Sequence, residues 1–285
     1  MGSLLFVKKI ILLIAFTSHL YGWGFYAHKK IQSDAIKILP TELKIFFENN
    51  KNIIIENSIA PDKWKFKDKK EGPRHYIDLD RYDTFPFEKL PRNYQMAVQK
   101  FGKKIVNENG TVPWRVVEFA NLLTEAFKNR NHEKILFYAS ALGHYVSDAN
   151  VPLHTTENYN GQLTFQHGLH SRFESELPER FNFELNPKQP QIIKDLNSEI
   201  FDNLLNSFVL NSKILQSDKQ SLFDEKGNPN FKIKKKKNEY SYKKKYYEIF
   251  YRLIGSDLKI QMERAANSTA SFWFTAWVNA GSPKL

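Results

Sequence analysis

His144 and Asp148 stand four residues apart in Gly143-His144-Tyr145-Val146-Ser147-Asp148, and His170 and Glu174 repeat that spacing in His170-Ser171-Arg172-Phe173-Glu174. On a helix, residues four apart share a face with Cβ atoms roughly 5–6 Å apart. Each pair can therefore offer one imidazole nitrogen and one carboxylate oxygen to a single metal ion. A lone pair of this kind is more often a surface ion pair. Two pairs within 31 residues, with His154 between them in Pro152-Leu153-His154, are a stronger signal. His154, His170 and Glu174 together make a histidine, histidine, glutamate set, the kind of shell that holds catalytic zinc with one position left to water.

Other donors lie upstream. Asp62 follows Pro61, His75 sits in Pro73-Arg74-His75-Tyr76-Ile77-Asp78, and His28 lies five residues beyond Trp23. Taken singly, each is equally a surface polar residue or a helix cap. Asp78, Asp80 and Asp83 are further candidate ligands or plain solvated acids, and spacing alone does not rule out His167. His132 reads as the first residue of a helix.

Trp23 enters through processing. Lys8 and Lys9 precede an apolar run from Ile10 to Phe16, followed by His19-Leu20-Tyr21-Gly22. That is the order of a secretory signal, and the run is too short to span a bilayer. Residues 1–22 are expected to be a signal peptide and 23–285 the mature domain of an exported protein, secreted, periplasmic or surface-associated. Cleavage after Gly22 would free the α-amine of Trp23, whose ordinary pKa is about 7.7–8.0. Amine and carbonyl together could chelate a metal.

The elements that must position these residues are helical. Apolar residues recur every three to four positions through most of the chain. Helices are predicted over 25–39, 42–57, 87–102, 114–129, 132–147, 169–177, 192–209 and 257–279. Residues 60–83 read as mostly irregular, and 211–238 as a polar surface excursion or a short hairpin. The expected fold is all-α, one multi-helix domain, since 263 mature residues can bury a sizeable core. The chain has no cysteine, so it has no disulfides, and a large core or bound metal must stabilise it. Its net charge of +11, or +9 without the leader, favours anionic partners such as nucleic acid or acidic lipid headgroups. No Walker loop, dinucleotide fingerprint or zinc-finger spacing is present.

The ordered set Trp23 to His28, Pro61-Asp62, Arg74-His75-Tyr76, Gly143 to His154 and His170 to Glu174 resembles the zinc-dependent phospholipase C family, distantly related to the fungal-type single-strand nucleases. The resemblance covers most of the chain from Trp23 to about residue 280. It implies a compact helical domain with three zinc ions: one on Asp62, His75, His144 and Asp148, one on His154, His170 and Glu174, and one on Trp23, His28 and Asp148, with Asp148 shared. His132 and His167 then become non-ligands. It also implies hydrolysis of a phosphodiester by a water that zinc acidifies towards a pKa of about 7, with Asp148 central and Asp62 orienting or deprotonating that water.

For the substrate, the resemblance favours a phospholipase C that releases a phosphorylated headgroup and diacylglycerol. The final ligand, Glu174, is a glutamate as in the bacterial phospholipases, where the nuclease branch typically has aspartate, and the lack of cysteine suits the bacterial branch, since the fungal nucleases carry disulfides. Tyr76, Phe165 and Phe173 could line an acyl-bearing groove or simply pack in the core. The alternative is an extracellular nuclease or nucleotide phosphodiesterase. The positive charge, the polar loop Thr155 to Gln162 and Tyr159 as a stacking platform favour that reading. A non-catalytic lipid- or metal-binding module is the third. A monomer in transient contact with a membrane surface is expected.

Overall fold

The structure, a computed structural model, describes residues 24–234 and 239–285. Trp23 and the expected signal peptide lie outside the described residues. The elements in chain order are α1 (Phe25–Lys37), α2 (Thr41–Asn49), α3 (Lys51–Asn57), α4 (Ala60–Trp64), α5 (Tyr94–Phe101), α6 (Lys103–Glu108), α7 (Val112–Lys128), α8 (His132–Ala149), α9 (Leu169–Ser171), α10 (Leu177–Arg180), α11 (Leu196–Phe208), α12 (Asn211–Ser221) and α13 (Lys244–Asn279). The only sheet among the described residues is an antiparallel hairpin of β1 (Phe231–Lys234) and β2 (Glu239–Tyr242), with Phe231 opposite Tyr242. The all-α expectation is met.

The core forms where α8 and α13 cross under α1 and α7. The Asn131 side chain caps α8 by accepting from the Lys134 amide at 3.0 Å. From Ala139 to Ala149 every residue of α8 is buried, so this half of the helix threads the interior. Gly143 allows the approach. A Cβ there would come within 2.6 Å of the Gln32 amide and 3.0 Å of Trp273. Gln32 donates to the Ser140 carbonyl at 2.8 Å, and the fully buried Trp273 donates to that of Ala139 at 2.9 Å. Gly143→Ala should therefore overpack this crossing and lower stability by about 1–3 kcal/mol in denaturant unfolding.

Several predicted boundaries move. The predicted 42–57 helix breaks at Asn50, whose φ of −114° leaves helical geometry and whose side chain bonds back to the Phe46 carbonyl. Residues 87–93 are not helical, because Phe87 has a φ of +63° and Asn93 caps a later start. The 60–83 stretch contains α4 and two 3-10 turns, Gly72–His75 and Leu79–Arg81. Residues 211–221 form α12, and α13 begins 13 residues before the predicted 257. Among the described residues no helix is long and apolar enough to cross a membrane.

Candidate metal centre

Seven local structures bring eight donors together. Here α1 carries His28, α4 carries Asp62, and the 3-10 turn Gly72–His75 ends on His75. His144 and Asp148 lie on α8. After α8, Val151 is extended as its proline neighbour demands, and the 3-10 turn Pro152–Thr155 turns His154 back inward. His170 lies on α9, and Glu174 lies in the π-helical turn Arg172–Glu176 that continues it. None of the eight is more than 7% exposed.

Donor atoms converge on three points within 4.8 Å spreads: His28 with His144 and Asp148, Asp62 with His75 and His144, and His154 with His170 and Glu174. Asp148 sits between the first two. Its Oδ1 lies 3.4 Å from His28 Nε2, and its Oδ2 lies 2.9 Å from His75 Nδ1 and 3.2 Å from His144 Nε2. In the third set, His170 Nε2 is 2.8 Å from Glu174 Oε2 and 3.0 Å from His154 Nε2. These three sets can coordinate metal ions. The geometry also puts His144 within reach of two sets, where spacing suggested one.

Carbonyls fix the ring orientations. His144 Nδ1 donates to the Ser58 carbonyl at 2.7 Å and His154 Nδ1 to the His75 carbonyl at 2.6 Å, so each presents Nε2 to its cluster. His75 presents Nδ1, with its Nε2 3.5 Å from Glu71 Oε1, too long for a hydrogen bond but close for charge. Glu71 accepts in turn from Tyr145 and, at 2.6 Å, from Arg74. Glu71→Gln should weaken zinc affinity about 10–100-fold in a chelator competition, because the carboxylate supports His75 as a donor.

The donor atoms left over fit a cation. Both ring nitrogens of His28, Oδ2 of Asp62, Oδ1 of Asp148 and both oxygens of Glu174 are buried without a hydrogen-bond partner. Such groups are costly to bury unless something neutralises them. Burial, then the charge on His144, drives His28 down to about 4, and burial drives His170 down to about 4. Both rings are therefore neutral, as a ligand must be. Burial alone would raise Asp148, but the charges on His144 and His154 outweigh it and hold the group well below the ordinary value. Glu174 shows the opposite balance: burial pushes it up to about 7 against the pull of His154.

A cavity of about 140 Å³ opens on this centre, walled by Lys65, Tyr76, Asp78, Leu153, Tyr159 and His170. Lys65, which the sequence reading missed, puts Nζ 2.8 Å from Asp62 Oδ1. The i, i+3 spacing was a usable signal. Asp80 and Asp83 take structural partners instead. Asp80 accepts from Thr156 and the Glu157 amide, and Asp83 pairs with Lys89. His132, at the far end of α8 and about 18 Å along the helix from His144, packs edge-on against Phe46. The exposed His167 uses its carbonyl to hold Arg172. Phe173 is core, Phe165 is 90% exposed, and Tyr76 and Tyr159 face the cavity.

Burial first, then Asp80 and Glu157, raises the Asp78 carboxyl to about 7. A raised acid contributes stability that is full below its unfolded value of about 3.8 and is lost as pH rises through about 7. Asp78→Asn should therefore flatten the decline in Tm between pH 4 and 8.

The profile of zinc-dependent phospholipase C matches residues 27–246, which contain all eight donors. The chain belongs to that family. Two solved structures share the fold of this zinc-dependent phospholipase C relative. One is the alpha-toxin of an avian strain of Clostridium perfringens, at 12% identity and a TM-score of 0.51, over 92% of this chain and 65% of the toxin. The other is the Clostridium absonum alpha toxin, at 14% identity and a TM-score of 0.50, over 91% and 64%. The chain thus spans slightly less than two thirds of each toxin's length. At these identities the likeness concerns the fold. No curated protein sequence is a significant match.

Proposed function

We propose that the chain is a zinc-dependent phosphodiesterase of the phospholipase C type, releasing a phosphorylated headgroup and diacylglycerol. The observation that carries this reading is the meeting of three buried donor sets, two of them at Asp148, beside a cavity that His75, His154 and His170 line. Three zinc ions would be held by Asp62, His75, His144 and Asp148; by His154, His170 and Glu174; and by Trp23, His28 and Asp148. The last set requires export and cleavage after Gly22. Gly24 supports it by donating its amide to the Glu174 carbonyl at 3.1 Å, so the chain enters α1 beside the centre. The enzyme would act as an exported monomer.

Bound zinc would supply Lewis-acid polarisation of the phosphoryl group and a water acidified to a pKa of about 7. The protein's own groups do the rest. Burial would raise Asp62, but the charges on His144 and Lys65 outweigh it and keep it ionised. Its Oδ2, buried and without a hydrogen-bond partner, can orient the attacking water and accept its proton. Lys65 lines the cavity with its ammonium held 2.8 Å from Asp62, and from there its charge would favour an anionic phosphoryl oxygen. Leu153 and Tyr159 line the same cavity and would limit the access of bulk water.

The test is a substrate panel on zinc-loaded protein starting at Trp23. Headgroup release from phospholipid should exceed cleavage of single-stranded DNA or RNA by at least tenfold. The reverse order would make the chain a nuclease. Full zinc content without turnover on either would make it a binding module.

A further inference from the structure

The turn that leads from Asp62 to His75 carries a pattern the chemistry above leaves unused. Residues 63–70 read Lys-Trp-Lys-Phe-Lys-Asp-Lys-Lys, five lysines against one aspartate. Lys65 is turned inward to Asp62. Lys63, Lys67, Lys69 and Lys70 are exposed and form no ion pair among the described residues. Asp68 is already engaged, 3.5 Å from Arg74. The positive charge at this edge of the cavity is thus uncompensated by the fold.

Apolar groups alternate with that charge. Phe66 is 62% exposed. Trp64 stacks on Phe137 at 5.6 Å between centroids, and with Ile53 and Leu136 they line a groove of about 480 Å³ whose one acid is Glu133. The segment that contributes Tyr159 to the cavity runs on to Leu163 and Phe165, exposed by 61% and 90%. Phe165 is held there at a φ of +60°. Large apolar side chains are therefore held out to water on two segments that wall the same cavity.

Lysines flanking exposed rings suit a membrane interface, where rings settle at headgroup depth and ammonium groups stay with the phosphates. Each lysine near an anionic leaflet strengthens attachment by about fivefold, and apolar insertion supplies the second signal that stable attachment needs. Single-stranded nucleic acid fits less well. Phe66 and Phe165 would each give a base a stacking face, but the Trp64 ring is covered by Phe137 and the exposed Ile53 and Leu163 are aliphatic, so most of the patch fits acyl and headgroup contact better.

We infer that the 63–70 turn, with Leu163 and Phe165, is the surface by which the protein sits on a bilayer containing anionic phospholipid, with the cavity mouth facing the headgroups. This deepens the phospholipase reading and rests on it.

The experiment compares zinc-loaded full-length mature protein with the Lys67→Glu/Lys69→Glu/Lys70→Glu variant, with Phe66→Asp, and with a charge-matched control, Lys103→Glu/Lys104→Glu/Lys188→Glu. Partitioning is measured on phosphatidylcholine vesicles with and without phosphatidylserine, and turnover on soluble bis(p-nitrophenyl) phosphate. The parent and the control should bind the phosphatidylserine vesicles, and added salt should weaken that binding. The triple variant should bind them about a hundredfold more weakly, and Phe66→Asp about tenfold. All four should keep soluble turnover within about twofold, which excludes misfolding. Equal binding by parent and triple variant would overturn the inference. So would an equal loss in the control, which would make net charge the cause. A triple variant that loses single-stranded oligonucleotide binding but keeps vesicle binding would make the turn a nucleic-acid surface and overturn it too. A parent without turnover on any phosphodiester would strike the phospholipase reading alone, because vesicle partitioning is read independently.

Discussion

Asp148→Asn should lower kcat/KM by about a hundredfold to a thousandfold and reduce bound zinc, whereas His132→Ala should leave both near parental values. The two residues share α8, so helix context does not separate them. Their surroundings do. Asp148 is fully buried, and its two oxygens face His28 on one side and His75 with His144 on the other. Asparagine has the same shape but no charge, and it would put an amide N–H where an acceptor is needed. One substitution would thus weaken two donor sets together. His132 is exposed at the helix start and touches Phe46. Zinc content and turnover are read on the same preparations. Equal retention of both in the two variants would remove Asp148 from the centre.

Chelation should lower Tm by about 10 °C or more, and stoichiometric zinc should restore it. Four of the eight donor residues keep at least one buried ligating atom without a hydrogen-bond partner. Three of those four are carboxylates. A cation that binds only the folded chain stabilises by about 4 kcal/mol at a thousandfold excess over its Kd. For a domain this size each kcal/mol moves Tm by about 2–4 °C. No disulfide is present to take over that role. A Tm unmoved by a strong chelator would mean that the clusters are held by protein contacts alone.

Much of the centre was legible from spacing because the ligands come in local pairs on regular structure. His144 and Asp148 meet as the α-helical i, i+4 rule says they should. His170 and Glu174 meet for a less regular reason. The turn between them passes from α to π geometry at Arg172, and the pair still closes to 2.8 Å. Periodicity does not announce a π-turn. The fixing of that turn by Arg172 was equally hidden. Its guanidinium reaches the carbonyls of Gln166 and His167 and the carboxylate of Asp218, on a helix far along the chain.

The parts of the fold that were misread share a cause. The α12 helix buries Asn211, Ser217, Asp218 and Ser221 beside one apolar residue, Ile214, so its inward face is mostly polar and shows little hydrophobic period. Asp218 can be inside because Arg172 and Tyr246 satisfy it. The first turns of α13 bury Tyr246, Tyr247 and Phe250 beneath a surface of lysines, which in the sequence looks like a charge block. The helix predicted from 87 failed at Phe87, whose positive φ is a choice the tertiary contacts make. The lysine and aromatic alternation at 63–70 was in plain view but had been absorbed into an irregular stretch, since its meaning depends on the cavity beside it.

The central claim is tested most directly by counting zinc per chain, by elemental and native mass spectrometry, in protein whose first residue is verified as Trp23. Three ions per chain are expected, falling to fewer when residues remain ahead of Trp23. One ion or none, in correctly folded protein with all eight described donors intact, would contradict the account.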